Sequence, residues 1–116
     1  MEFLLLLSAP DYFDRWAAMT PEQTEDVMAA FPSFAKAVAE RGQIVAGDAL
    51  HPPVTARTVT GPERAVTEGP FAETVEQLAG YYVIDVDSIE TATELARLLP
   101  DMLTVEVRPT RGVPIR

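Results

Sequence analysis

His51 is the single histidine of the chain, and its ring is the one side chain whose ordinary pKa lies near neutrality. That suits general acid–base work. Asp48 stands three residues earlier, close enough to orient the imidazole if the loop between them curls. A solvated histidine ahead of the Pro52-Pro53 turn fits the same residues. A second group of acids lies in TEGPFAETVEQLAGYY, Thr67 to Tyr82. Here Glu73 is a candidate acid, base or ligand clamp at the mouth of a pocket, with Glu68 beside it as a substrate contact. The mechanical account of the same stretch is a turn. Gly69 takes a backbone conformation that other residues resist, Pro70 fixes the bend, and Phe71 plugs the edge of the core. The stretch reads as a structural turn carrying one or two functional acids.

Tyr81 and Tyr82 point to opposite faces of a strand, because strand side chains alternate. A phenol hydroxyl at a cleft binds substrate oxygen, and core packing is the competing role for both. Arg57 and Arg108 are scarce cations in an acidic chain. Either can hold a ligand carboxylate bidentately, and a surface pair with Asp or Glu is the commoner fate.

The acidity itself excludes partners. Nine Lys and Arg stand against 18 Asp and Glu, a net charge of −9, which repels nucleic acid and anionic membrane surfaces. No cysteine is present, so disulfides and thiol chemistry are absent, which fits a cytoplasmic protein. One histidine without cysteine argues against a metal site. Gly61, Gly69 and Gly80 are too scattered for a phosphate-binding loop, there is no nucleophile-elbow motif, and haem would rest on His51 alone. No cofactor is expected.

The elements that must position these residues follow from patterning. Hydrophobic residues make up 47% of 116, enough for one core and one domain over 1–116. Phe3 to Leu7 is an apolar run too short to cross a bilayer and lacks a basic flank, so it reads as a buried strand, roughly Glu2 to Ser8. Ala9-Pro10-Asp11 ends it, and a polar connection follows. Thr20-Pro21-Glu22-Gln23 has the form of a capping box, and Val27, Phe31, Phe34 and Val38 continue at helical spacing to Arg41-Gly42. Pro32 predicts a kink or break near Phe31. Gln43 to Ala49 reads as a strand. Thr55 to Thr60 and Arg64 to Thr67 form a hairpin around Gly61-Pro62-Glu63, and Ala79 to Val86 is a further strand. Asp87 or Ser88 caps a helix with Ile89, Ala92, Leu95 and Leu99 on its apolar stripe, and Leu103 to Arg108 closes the chain. The plan is α+β and ferredoxin-like, βαββαβ with an extra hairpin strand. Phe3-Leu4-Leu5-Leu6-Leu7 does not alternate, which indicates burial on both faces. Two helices cover one face, so a homodimer packed sheet against sheet is expected to cover the other.

Gly69-Pro70-Phe71-Ala72-Glu73-Thr74, Glu76-Gln77-Leu78 and Gly80-Tyr81-Tyr82 together resemble the D-G-P-F-A-E-T-K-E-Q-L-G-G-Y-Y block of the DGPF branch of the YCII-related family. Gly47-Asp48-Ala49-Leu50 with Pro52-Pro53 is similar to its G-E-A-L-x-P-P segment, and Glu106-Val107-Arg108-Pro109 to its E-V-R-P. The resemblance implies a dimeric α/β barrel of ferredoxin-like protomers. Relatives in the wider superfamily include lyases and dehydrochlorinases, and branch members are often encoded beside sigma factors. It therefore implies a small-molecule enzyme or binder with lyase- or isomerase-type proton transfer. The alternative is a non-catalytic sensing or partner-binding module linked to transcriptional control. Glu68 replaces the usual Asp and Val75 the usual Lys. The wider family's His-Asp dyad places its histidine in the first helix region, where this chain has none, so that dyad does not carry over.

Overall fold

A computed structural model describes residues 1–70 and 76–113. Four strands form an antiparallel sheet in the order β2-β5-β1-β6: β1 is Glu2–Pro10, β2 Gln43–Ala49, β5 Glu76–Asp85 and β6 Thr104–Pro109. Helices α1 (Tyr12–Ala17), α2 (Pro21–Arg41) and α3 (Ile89–Ala96) accompany it. The hairpin strands β3 (Arg57–Thr60) and β4 (Ala65–Glu68) form a second, separate two-stranded sheet and add no strand to the first. Architecture and strand order agree with the ferredoxin-like plan. Among the described residues no helix is long and apolar enough to cross a membrane.

β1 lies at the centre because its alternate residues find partners on both sides. Leu5 is opposite Tyr82 of β5 and Val107 of β6, while Leu6 is opposite Tyr81 and Glu106. Phe3, Leu5 and Leu7 are buried under the helices with Phe34, Val38, Ile84 and Leu95. Leu4 and Leu6 face the other way and are half-buried. The apolar run is thus covered on one face within a single chain, and its second face stays open.

α2 begins as its sequence predicts. The Thr20 hydroxyl accepts the Gln23 N–H at 3.2 Å, and the Gln23 side chain accepts the Thr20 N–H at 2.9 Å. Such a cap contributes about 1 kcal/mol. Of the kink or break expected near Phe31, the break does not occur, since α2 runs unbroken from Pro21 to Arg41 with Pro32 inside it. A proline in mid-helix costs about 3 kcal/mol when uncompensated. Here burial of Phe34 and Val38, with Phe31 packed against the same core, offsets it.

α3 is capped by Ser88, whose hydroxyl accepts the Thr91 N–H at 3.1 Å. That cap sets the helix phase so that Thr91, Ala92, Leu95 and Ala96 are buried, and Ile89, expected on the apolar stripe, is instead 41% exposed. Arg41 at the end of α2 donates to the Thr91 hydroxyl at 3.0 Å and ties the two helices together.

Candidate functional site

The connection after β1, expected only to be polar, contains the short, largely aromatic helix α1. Asp11 precedes it at φ 49, a left-handed conformation that Asp tolerates better than most residues. This reverses the chain within one residue. The first helical turn then borrows an acceptor from the sheet, as the Phe13 N–H donates to the Gln77 side-chain oxygen of β5 at 3.1 Å. Tyr12 and Trp16, one turn apart, stack at 6.2 Å between centroids, and Phe13 meets Tyr12 edge-on at 5.0 Å. Aromatic pairs in these arrangements are worth about 0.5–1.5 kcal/mol beyond their burial.

Beneath α1 lies a cavity of about 480 Å³. Tyr12, Phe13 and Trp16 form one wall and Met28 and Phe31 of α2 another, while the sheet contributes Leu7, Gly47, Ala49, Ala79, Gly80 and Tyr82. Two glycines shape the sheet wall. A Cβ on Gly47 would fall 2.6 Å from the Tyr82 ring, so that ring lies across the glycine of the neighbouring strand. A Cβ on Gly80 would fall 2.7 Å from the Asp48 carbonyl oxygen. The Tyr82 ring also rests on Phe34, with centroids 4.8 Å apart, and so joins the cavity to the core. Burial raises the pKa of both Tyr12 and Tyr82 above 10.0. At neutral pH both phenols are uncharged O–H donors.

A second, larger hollow of about 820 Å³ lies beside the hairpin. His51 lines it together with Glu68, Gly69, Glu76 and the Pro52-Pro53 turn. His51 is exposed. The Asp48 carboxylate accepts the N–H of its neighbour Ala49 at 2.9 Å. Asp48 is opposite Tyr81 in the β2–β5 register, and alternation places that pair on the open sheet face. Both residues border the aromatic cavity as their strands pass it. Arg57 pairs with Glu68 across the hairpin at 3.8 Å, and Arg108 pairs with Glu106. Glu73 lies outside the described residues.

Of the residues singled out from sequence, the structure brings His51 and Glu68 to one hollow and Asp48, Tyr81 and Tyr82 to the other. Tyr81 and Tyr82 do diverge, as alternation requires. Sequence reasoning missed Tyr12, Phe13, Trp16 and Phe31. The signal for them was present in the spacing of Tyr12, Phe13 and Trp16, two neighbours and a third residue one helical turn on.

Residues 1–110 match the YCII-related domain. An uncharacterized protein of Rhizobium meliloti (strain 1021) is 36% identical over 99 residues, a span covering 80% of each chain. The chain therefore belongs to the YCII-related family.

Proposed function

We propose that the protein binds a small, largely apolar organic molecule in the aromatic cavity and does so as a dimer of the DGPF type. The observation that carries the binding reading is the cavity lining. Six of the nine aromatic residues (five Phe, three Tyr, one Trp) gather at one hollow of about 480 Å³. Ligand sites typically enclose about 300–1,000 Å³, lined mainly by apolar and aromatic groups with a few polar ones to orient the ligand. The neutral hydroxyls of Tyr12 and Tyr82 fit that second role.

Proton transfer of the lyase or isomerase type would draw on His51 and Asp48. The hydrogen bond from Ala49 to Asp48 and the exposure of His51 support binding better than that chemistry. A titration with p-cresol, followed by calorimetry and by the indole N–H resonance of Trp16, tests this. Saturable binding is expected, weakened about 2- to 10-fold in Phe13→Ala, the loss of one aromatic contact. His51→Gln should bind as the parent does. No saturable response, or full affinity in Phe13→Ala, overturns the reading.

Support for the dimer comes from the open sheet face. Leu4, Leu6, Tyr81 and Val83 lie there in register, each half-buried. An apolar sheet face of this kind is stably hidden from water by a second one packed against it. In a face-to-face dimer the two sheets would build the α/β barrel. Sedimentation equilibrium at micromolar concentration should give twice the mass of one chain. Leu6→Lys should give folded monomers. A parent that sediments only as monomer removes the dimer from the proposal.

A further inference from the structure

We infer that the aromatic cavity selects an organic cation, and specifically a quaternary ammonium group, over neutral molecules of the same shape. The inference rests on the binding reading and narrows it to a class of ligand. Aromatic rings carry negative potential on their faces, and a cation held over such a face is attracted by about 0.5–1 kcal/mol at exposed sites and about 2 or more when desolvated. Tyr12, Phe13, Trp16, Phe31 and Tyr82 surround one volume, so a cation inside it meets several rings at once.

Asp48 at the border of the cavity and the acidity of the chain point the same way. Among the described residues no lysine or arginine lines it, so an anionic ligand finds no cationic partner there. The stretch from Asp11 to Met28, which includes α1 and the first turns of α2, carries Asp11, Asp14, Glu22, Glu25 and Asp26 against the single cation Arg15. The Arg15 guanidinium is directed to the Pro10 carbonyl at 3.3 Å. With a net charge of −9 over the whole chain, the approach to this hollow favours cations and disfavours anions.

Hydrogen bonding then decides which cation. A primary ammonium brings three N–H donors; the Tyr12 and Tyr82 phenol oxygens and the bordering Asp48 are the few side-chain acceptors for them, and each donor left buried without one costs about 1–3 kcal/mol or more. A quaternary ammonium has no N–H. Its charge is spread over methyl groups that pack against rings, so it enters an apolar cavity with the charge and without the unsatisfied donors.

The experiment compares benzyltrimethylammonium with neopentylbenzene, which has the same shape with carbon in place of the charged nitrogen, using calorimetry on the full chain. The cation is expected to bind at least 10-fold more tightly. In Trp16→Leu, where apolar volume remains and the largest ring is gone, the preference should fall at least threefold while neopentylbenzene still binds. α1 has no buried residue, so this substitution leaves the core intact. If neopentylbenzene binds as well as the cation, or Trp16→Leu keeps the full preference, the cation inference is overturned and the cavity remains a binding site for neutral molecules. If neither these probes nor p-cresol binds, the binding reading falls and this inference falls with it.

Discussion

Phe34→Ala is expected to lower the free energy of unfolding by about 3–5 kcal/mol, the range for deleting a buried phenyl ring. Phe34 has no exposed surface and lies on α2 among Phe3, Leu5, Val38 and Ile84. Its loss leaves a void that neighbours on a paired β-sheet cannot collapse to fill. A domain of this size is stable by about 5–15 kcal/mol in all, so the variant retains a fraction of its margin. Urea denaturation should show a lower midpoint with an unchanged slope. The effect also has a local signature. Tyr82 loses the ring it rests on, so p-cresol affinity should fall as well, although Phe34 does not line the cavity. A loss under about 1 kcal/mol would contradict the core described above.

Gly80→Val is expected to detach β2 from the sheet. The new Cβ would stand 2.7 Å from the Asp48 carbonyl oxygen and 3.3 Å from the Ala49 Cα. These are backbone atoms, so no rotamer change relieves the overlap. β2 is an edge strand whose ladder runs along β5 alone, and moving away is its cheapest response. Overpacking costs about 1–3 kcal/mol where side chains can adjust; against backbone the upper end applies. Hydrogen exchange should show lost protection for β2 amides while the ladders of β1 with β5 and β6 persist. Binding of p-cresol should disappear, because Gly47 and Ala49 of β2 form part of the cavity wall. Retained β2 protection would show that the two strands are less tightly apposed than described.

The parts of the fold legible in the sequence were those fixed by local chemistry. The Thr20 to Gln23 capping box, the strand at Phe3 to Leu7 and the Gly61-Pro62 hairpin each carry their own signal. What escaped depends on contacts between distant residues. α1 carries only the faint signal of Tyr12, Phe13 and Trp16 at helical spacing, and its first turn is completed by Gln77, which no window around Asp11 contains. Pro32 predicts a kink or break because its cost is local, whereas the packing of Phe31, Phe34 and Val38 that keeps α2 continuous is tertiary. The same division applies to the site. Tyr82 was identified from the strand it occupies. Its companions Tyr12, Phe13 and Trp16 become part of a cavity only once α1 exists. His51 stands out in the sequence as the single histidine, and its exposure depends on a loop geometry that sequence does not specify.

The central position of β1 has a kinetic consequence. The Met1 amino group reaches Asp85 across 84 residues, and Thr110 donates to the Glu2 carbonyl across 108. The ladder of β1 with β5 therefore closes a loop of more than half the chain and that with β6 one nearly as long as the domain, and the entropy of closure is lost before the strand pairs. Folding dominated by such distant pairings is slow, on a scale of about milliseconds to seconds. During synthesis the Phe3 to Leu7 strand is made before both of its partners, β5 and then β6. At about 5–20 residues per second, the most apolar segment waits seconds for its neighbours. Over that interval it is an unpaired strand with both edges open, the form most prone to pair with another chain. A holding chaperone would find its target in the β1 segment before β5 and β6 are made.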